Sequence, residues 1–228
     1  AAIEYSVFDN RAIIMKELLQ ALKTDFNGKE TLRQRLINRT PKYGNDDEYA
    51  DENAKEIFEA YYDAIDGKPN TKGGCYRINF LPTTVHIYFG KAVGATPDGR
   101  KAGEPLSEGV SPVQGADRKG PTAVIKSVSK IDQVRTGGTL LNQKFTPHLL
   151  ADEDGLDKLS SLIRTYFKLD GHHIQFNVIS SETLRAAQKH PEKYRDLIIR
   201  VAGYSDYFVD LSPELQNEII KRTEHAAF

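Results

Sequence analysis

The chain of 228 residues carries 31 Lys and Arg against 32 Asp and Glu, a formal net charge of −1 at pH 7. That balance excludes a basic footprint for nucleic acid and a single-sign tail for a membrane surface. No apolar stretch approaches a membrane span, no signal-peptide pattern is expected at the N-terminus, and a single cysteine excludes an internal disulfide and fits a reducing cytoplasm.

Residues 10–24 carry Ile13, Ile14, Leu18, Ala21 and Leu22 at helical spacing, with Asp9 and Asn10 as caps. A second helix is expected over 29–38. A third is expected over 51–65, with Ala54, Ile57, Phe58, Tyr61 and Ile65 as its buried stripe and Gly67-Lys68-Pro69-Asn70 as its stop. Alternation over 76–80 predicts a strand, Pro82 breaks it, and 84–89 reads as extended. From 90 to 120 the chain is rich in Gly, Pro, Asp and Ser, a loop longer than structural connections need. Beyond it, helices are expected over 122–131, 154–167, 181–188 and 213–223, and strands over 139–145, 173–179 and 196–201. Ser212 and Pro213 open the last helix as N-cap and first-turn proline. Strands alternating with helices predict an α/β fold with largely parallel strands.

Gly94 and Gly99 enclose four residues as in a phosphate-binding loop, but Arg100-Lys101 follow and Pro105 blocks the expected helix. Pro97-Asp98-Gly99 reads better as a structural turn. His172 and His173 point to opposite faces of a strand, and no metal site is assigned. His173, Gln175 and Asn177 alternate with Ile174, Phe176 and Val178; the polar face either binds backbone or substrate, or meets solvent. Arg200-Val201-Ala202-Gly203-Tyr204-Ser205 places a glycine between a short strand and a helix start. Such a glycine either meets a need for positive φ or supplies a Cα–H between an amide nitrogen and a carbonyl, whose loss leaves a delocalised radical.

Several further runs weigh on that choice. Pro41-Lys42-Tyr43-Gly44-Asn45-Asp46-Asp47, Gly90-Lys91-Ala92-Val93-Gly94-Ala95-Thr96-Pro97-Asp98-Gly99-Arg100 and Pro105-Leu106-Ser107-Glu108-Gly109 occur in that order. Leu140-Leu141-Asn142-Gln143-Lys144-Phe145, His173-Ile174-Gln175-Phe176-Asn177-Val178 and the Gly203 run follow. Together they resemble the C-terminal part of a glycyl radical enzyme. That superfamily spans formate acetyltransferases, cobalamin-independent diol dehydratases, choline and hydroxyproline lyases and arylacetate decarboxylases. The resemblance covers essentially the whole chain.

The resemblance implies part of a ten-stranded α/β barrel with the glycyl radical loop threaded inside. Residues 1–120 would be the C-terminal part of the pyruvate formate-lyase-like barrel, and 121–228 the glycine radical domain. Gly203 would hold the radical, supported by Arg200, Val201, Ala202, Tyr204 and Ser205. Val201, Tyr204, Tyr207 and Phe208 would shelter it, and the hydroxyls of Tyr204 and Ser205 would fix the loop. Gly203 is therefore expected behind a barrel wall rather than on a solvent-bathed outer turn. No cofactor is bound permanently; an activating enzyme with an iron–sulfur cluster and S-adenosylmethionine would remove one hydrogen from Gly203.

Members of the family pass the radical to a cysteine, followed two residues later by glutamate in the dehydratase and lyase branches. Here Cys75 precedes Tyr76-Arg77, so it reads as a small buried side chain, and the thiyl cysteine is expected in an N-terminal part of the same enzyme. Phe80 and Thr83 lie in the segment that lines the substrate cavity in the family; a barrel strand broken by Pro82 is the alternative. Ala202, Ser205 and the ending Arg222-Thr223-Glu224-His225 resemble the dehydratase, lyase and decarboxylase branch. The expected reaction is elimination from a small polar substrate such as a diol or hydroxyproline. The expected partners are the activating enzyme, the N-terminal part, the substrate and a second copy in a homo-oligomer. The other readings are a formate C-acetyltransferase homologue, a stand-alone subunit replacing an oxygen-cleaved C-terminus, and an inert α/β binding domain.

Overall fold

β1 (Leu141–Phe145) lies between β2 (Ile174–Val178) and β5 (Glu224–His225), and all three run parallel in the computed structural model, which describes residues 1–228. Parallel neighbours need a crossover. Helix α6 (Glu153–Lys168) supplies it between β1 and β2, capped by Asp152, whose carboxylate accepts the Gly155 N–H at 2.8 Å. Tyr166 of α6 is fully buried against the sheet, with Leu141, Phe145 and Leu162 in the same core.

After β2 come α7 (Ser181–Lys189), then β3 (Ile198–Arg200) and β4 (Ser205–Tyr207), which form an antiparallel hairpin with Arg200 opposite Ser205. Helix α8 (Pro213–Lys221) follows, with Ser212 capping Leu215 as expected. A second core joins the hairpin to α7 and α8 through Leu184, Ile199, Val201, Phe208 and Ile219.

Residues 13–36 build a core of their own, whereas Phe58 further along joins the core under the sheet. A π-helical turn at Glu4–Asp9 precedes α1 (Met15–Lys23), followed by α2 (Glu30–Arg39) and α3 (Glu48–Ile65). The first helix therefore starts later than its periodicity predicts. Arg11 takes φ +47° and Ile14 is extended, so the chain turns before α1 begins. Asp9 and Asn10 do not cap it; the Asn10 side chain donates to the Tyr5 carbonyl instead, at 2.9 Å. Ile13, Leu18 and Ala21 pack with Phe26, Leu32 and Leu36, while Ile14 is exposed.

On α3 the expected stripe is only partly buried. Phe58 is enclosed, Ala54 and Ile65 are half-covered, and Ile57 and Tyr61 are exposed because no element of this chain lies over that face. Residues 76–80 form no regular strand. Phe80 makes a lone parallel bridge to Thr139, and its N–H donates to the Gly138 carbonyl at 2.8 Å. The extended stretch expected over 84–89 is helix α4 (Val85–Ala92). Its β-branched and aromatic residues favour a strand locally, but packing of His86 and Ile87 toward α8 overrides that preference.

Between α4 and α5 (Pro121–Val128) the backbone is irregular, as its composition predicts. Arg100 organises this stretch. It is buried and donates to the carbonyls of Glu104 at 2.6 Å and Gly94 at 2.5 Å. No helix follows Gly99, which agrees with the structural reading of that turn.

Candidate radical site

The β3–β4 hairpin turns at Ala202-Gly203. The Val201 N–H donates to the Tyr204 carbonyl at 2.8 Å, and Gly203 has φ +78°, in the left-handed region that glycine adopts without steric cost. Val201 and Ala202 are buried, and so is Phe208 beyond β4; Gly203, Tyr204, Ser205 and Tyr207 are exposed. A Cβ built on Gly203 meets no atom within 4 Å.

The expected enclosure is thus not provided by this chain. The inward side of the hairpin is occupied by Val201, Ala202 and Phe208, which leaves the tip and both tyrosines facing outward. Three parallel strands also form no closed wall. The expected fixing by hydroxyls is replaced as well. Ser205 Oγ accepts only a long 3.4 Å bond from Arg200, and Tyr204 contributes its backbone carbonyl to the turn.

Two buried amides of β2 hold the turn. Residues 175 and 177 share one face of the strand because side chains repeat every second residue. Asn177 donates to the Arg200 carbonyl at 2.8 Å and accepts the Arg200 N–H at 2.9 Å, so it pairs with the hairpin as a neighbouring strand would. Gln175 accepts the Gly203 N–H at 2.8 Å and donates to the Val201 carbonyl at 3.0 Å. The polar face of β2 therefore binds backbone. His173, on the same face, is half-buried, and burial, with the Arg200 charge beside it, lowers its pKa.

A second hold comes from α8. Arg222 donates to the Val201 carbonyl at 3.1 Å and to the Glu218 carboxylate at 2.8 and 3.1 Å. Burial alone would push the Glu218 carboxyl up, but the Arg222 guanidinium and His86 hold it down at about 2. Gln114 donates to the same carboxylate at 3.0 Å, which ties the irregular segment to the helix. The Val201 carbonyl thus receives two donors, which fixes the Val201–Ala202 peptide one residue before the Gly203 amide.

Phe80 and Thr83 do not join this group in any recorded contact. Phe80 stacks on Phe58 and Tyr61, with centroids 5.9 and 6.3 Å apart, and lines a mainly apolar cleft of about 410 Å³ with Tyr43, Val110 and Ile131. Thr83 is exposed, with φ +52°. Cys75 is exposed rather than buried, because it closes a short turn against Pro69 at the surface. Sequence reasoning missed Glu218 and Arg222 as part of the hold on the turn, although the segment ending at His225 had stood out.

No helix is long and apolar enough to cross a membrane. The glycine radical family model matches residues 106–209, and the pyruvate formate lyase-like model matches residues 1–90. Trans-4-hydroxy-L-proline dehydratase of Clostridioides difficile is 56% identical over 98% of this chain and 28% of its own length. The crystal structure of that enzyme with its substrate bound matches with a TM-score of 0.96 over 99% of this chain. Isethionate sulfite-lyase of Oleidesulfovibrio alaskensis is 49% identical over 100% of this chain and 28% of its own length. The glycerol-bound B12-independent glycerol dehydratase of Clostridium butyricum is 48% identical, with a TM-score of 0.92 over 99% of this chain and 29% of that structure. The chain therefore spans about 28% of the curated relatives it matches, and its α/β fold is a piece of their barrel. With a turn glycine held at its N–H and with the Val201 carbonyl two residues before it also held, and with these matches over nearly its whole length, the chain belongs to the glycyl radical enzymes of the pyruvate formate lyase-like family.

Proposed function

We propose that Gly203 is the radical residue of a glycyl radical dehydratase or lyase, and that this chain is its radical-bearing C-terminal portion. One observation carries the reading. The Gly203 N–H is held by Gln175, and the strand leading into it is held by Asn177 at Arg200 and by Arg222 at the Val201 carbonyl, while the Cα itself is free of neighbours at the position of a Cβ. A planar radical centre needs that combination of a fixed amide and an uncrowded carbon.

In this reading Gly203 gives up one Cα hydrogen atom to an activating enzyme that carries an iron–sulfur cluster and S-adenosylmethionine. The unpaired electron left behind supplies hydrogen-atom abstraction, which no ordinary side chain can perform. This chain's residues hold the turn. Gln175 and Asn177 keep the amides in register, Val201 and Ala202 anchor the turn in the core, and Arg200, Tyr204 and Ser205 form its flanks. Enclosure of the exposed tip falls to the remainder of the full-length barrel, which also holds the thiyl cysteine and most of the pocket. Residues 1–120 form the barrel portion and 121–228 the radical domain. Phe80 and Thr83 face the substrate side, and the whole enzyme works in the cytoplasm as a homo-oligomer.

The substrate class is a small hydroxylated or otherwise polar molecule from which water or a similar group is eliminated. Hydroxyproline is favoured by the greater identity to the hydroxyproline dehydratase, and a diol is second. The test is anaerobic EPR after incubation with the activating enzyme and S-adenosylmethionine. The native chain is expected to give a glycyl doublet and Gly203→Ala none; a doublet that survives the substitution overturns the assignment. The reaction is tested on the full-length enzyme with trans-4-hydroxy-L-proline, glycerol and isethionate, with loss of the hydroxyproline hydroxyl expected.

A further inference from the structure

Beyond the turn itself, the loop before α5 sends one buried carboxylate toward Gly203. Glu108 is 2% exposed. Its Oε1 accepts from Ser111 Oγ at 2.6 Å and from the Asn142 side-chain amide. Asn142 Oδ1 in turn accepts from the Gln175 side-chain amide, and Gln175 Oε1 accepts the Gly203 N–H at 2.8 Å. Three hydrogen bonds therefore join Glu108 on the loop, Asn142 on β1, Gln175 on β2 and Gly203 on the hairpin.

The direction of this relay is set by chemistry at its two ends. A backbone N–H can only donate, so Gln175 must present its oxygen to Gly203 and its NH2 group to Asn142. Asn142 must then present its oxygen to Gln175 and its own NH2 group away from it. Only an acceptor at residue 108 satisfies that last donor, and an ionised carboxylate accepts without donating. Gln175 already has the Val201 carbonyl for its NH2 group, so residue 108 sets the orientation of Asn142: a reversed Asn142 would place NH2 against the NH2 of Gln175 and push on the side chain that holds Gly203.

We propose that Glu108 is a positioning residue for Gly203: its Oε1 fixes the orientation of Asn142, which backs the Gln175 side chain that holds the Gly203 amide. The consequence for the radical rests on Gly203 being the radical residue, but the geometry of the relay does not. Burial raises the Glu108 pKa, while Arg222 and the hydrogen bonds from Ser111 and Asn142 pull against that rise. Its Oε2 has no protein partner, so the residue does not earn its place by full pairing. Glutamine at this position can offer the same acceptor oxygen to Asn142 and turn its NH2 group to the unpartnered side. Leucine cannot.

The experiment is amide hydrogen exchange on the unactivated chain, resolved at Gly203, for the native protein, Glu108→Gln and Glu108→Leu. The expected result is at least tenfold faster exchange at Gly203 in Glu108→Leu, with Ile199 in β3 unchanged, and recovery to within about twofold of native in Glu108→Gln. Should Glu108→Leu fail to fold, Asn142→Leu cuts the same relay one link closer and carries the same expectation. Native exchange at Gly203 in the leucine variants, or equal acceleration in Glu108→Gln, overturns the proposal. EPR after activation separates the two levels of the argument. A broadened or shortened-lived doublet in Glu108→Leu alone supports the positioning role, whereas absence of any doublet in the native chain beside accelerated exchange in Glu108→Leu refutes the radical assignment and leaves the relay standing.

Discussion

Replacing Gly203 with alanine separates a glycine kept for folding from a glycine kept for chemistry. The built Cβ meets nothing within 4 Å, so the substitution adds no collision inside the chain. The remaining penalty is conformational, because φ +78° lies in the left-handed region. An alanine there costs roughly 1–2 kcal/mol, and the reduced freedom of the unfolded chain returns about 0.4–1 kcal/mol. The net loss is about 1 kcal/mol. With a urea m-value of about 2 kcal/mol/M, the midpoint should fall by about 0.5 M at unchanged slope. Gly109 is the contrasting control. Its added Cβ falls 2.2 Å from the Leu140 carbonyl oxygen, so backbone must move and the loss should exceed about 3 kcal/mol. Urea melts of both variants, followed by circular dichroism, make the comparison. A loss above about 3 kcal/mol for Gly203→Ala would refute the reasoning, since the glycine would then be explained by the fold alone.

Breaking the buried pair behind the turn should be severe: Arg222→Met leaves Glu218 charged and unpaired, with an expected loss of about 3–5 kcal/mol, most of it recovered in the Arg222→Met, Glu218→Leu double variant. Denaturation of the two variants side by side checks this. Asn177→Leu leaves both backbone groups of Arg200 without their partner; about 1–3 kcal/mol should be lost, and exchange at the Arg200 amide should accelerate while β1 keeps its protection. The pH dependence follows from Glu218, whose folded value of about 2 lies below its ordinary 4.5. The unfolded chain then binds the proton first on acidification, so this contribution is complete above about pH 4.5 and lost as pH falls toward 2. Urea midpoints measured from pH 6 to pH 2.5 should show that slope in the native chain and a weaker one in Glu218→Gln.

Much of the second half of the molecule was legible residue by residue. The alternation over 173–179 placed β2 to within a residue, the Ser212-Pro213 signal placed the start of α8, and the run expected to be irregular from 90 to 120 is so from 93 onward, its first three residues closing α4. Residues 84–89 misled because Val85, Ile87, Tyr88 and Phe89 have strand preferences, and only the approach of α8 makes them helical. Ile57 and Tyr61 carry the correct helical spacing, but spacing reports which face is apolar and not whether this chain covers it. At the site, the turn glycine and the polar face of β2 were visible, but their connection was not. Gln175 could be seen as a polar residue on a strand; that it grips Gly203, and that Glu108 and Asn142 stand behind it, depends on pairings between distant segments. The motif runs containing Glu108, Asn142 and Arg222 were the available signal. Local chemistry assigned them no task because each acts through a neighbour rather than at an exposed reacting group.

Dioxygen reports directly whether the unpaired electron resides on Gly203. An α-carbon radical adds dioxygen, and decay of the resulting peroxyl cuts the backbone at that residue. The chain is activated anaerobically with the activating enzyme and S-adenosylmethionine, then exposed to air, and its intact mass and fragments are recorded by mass spectrometry. Cleavage at Gly203, releasing the segment that runs to Phe228, is expected in the native chain, and no cleavage in Gly203→Ala. A chain that stays whole although S-adenosylmethionine has been consumed, or one cut at a different residue, would contradict that assignment.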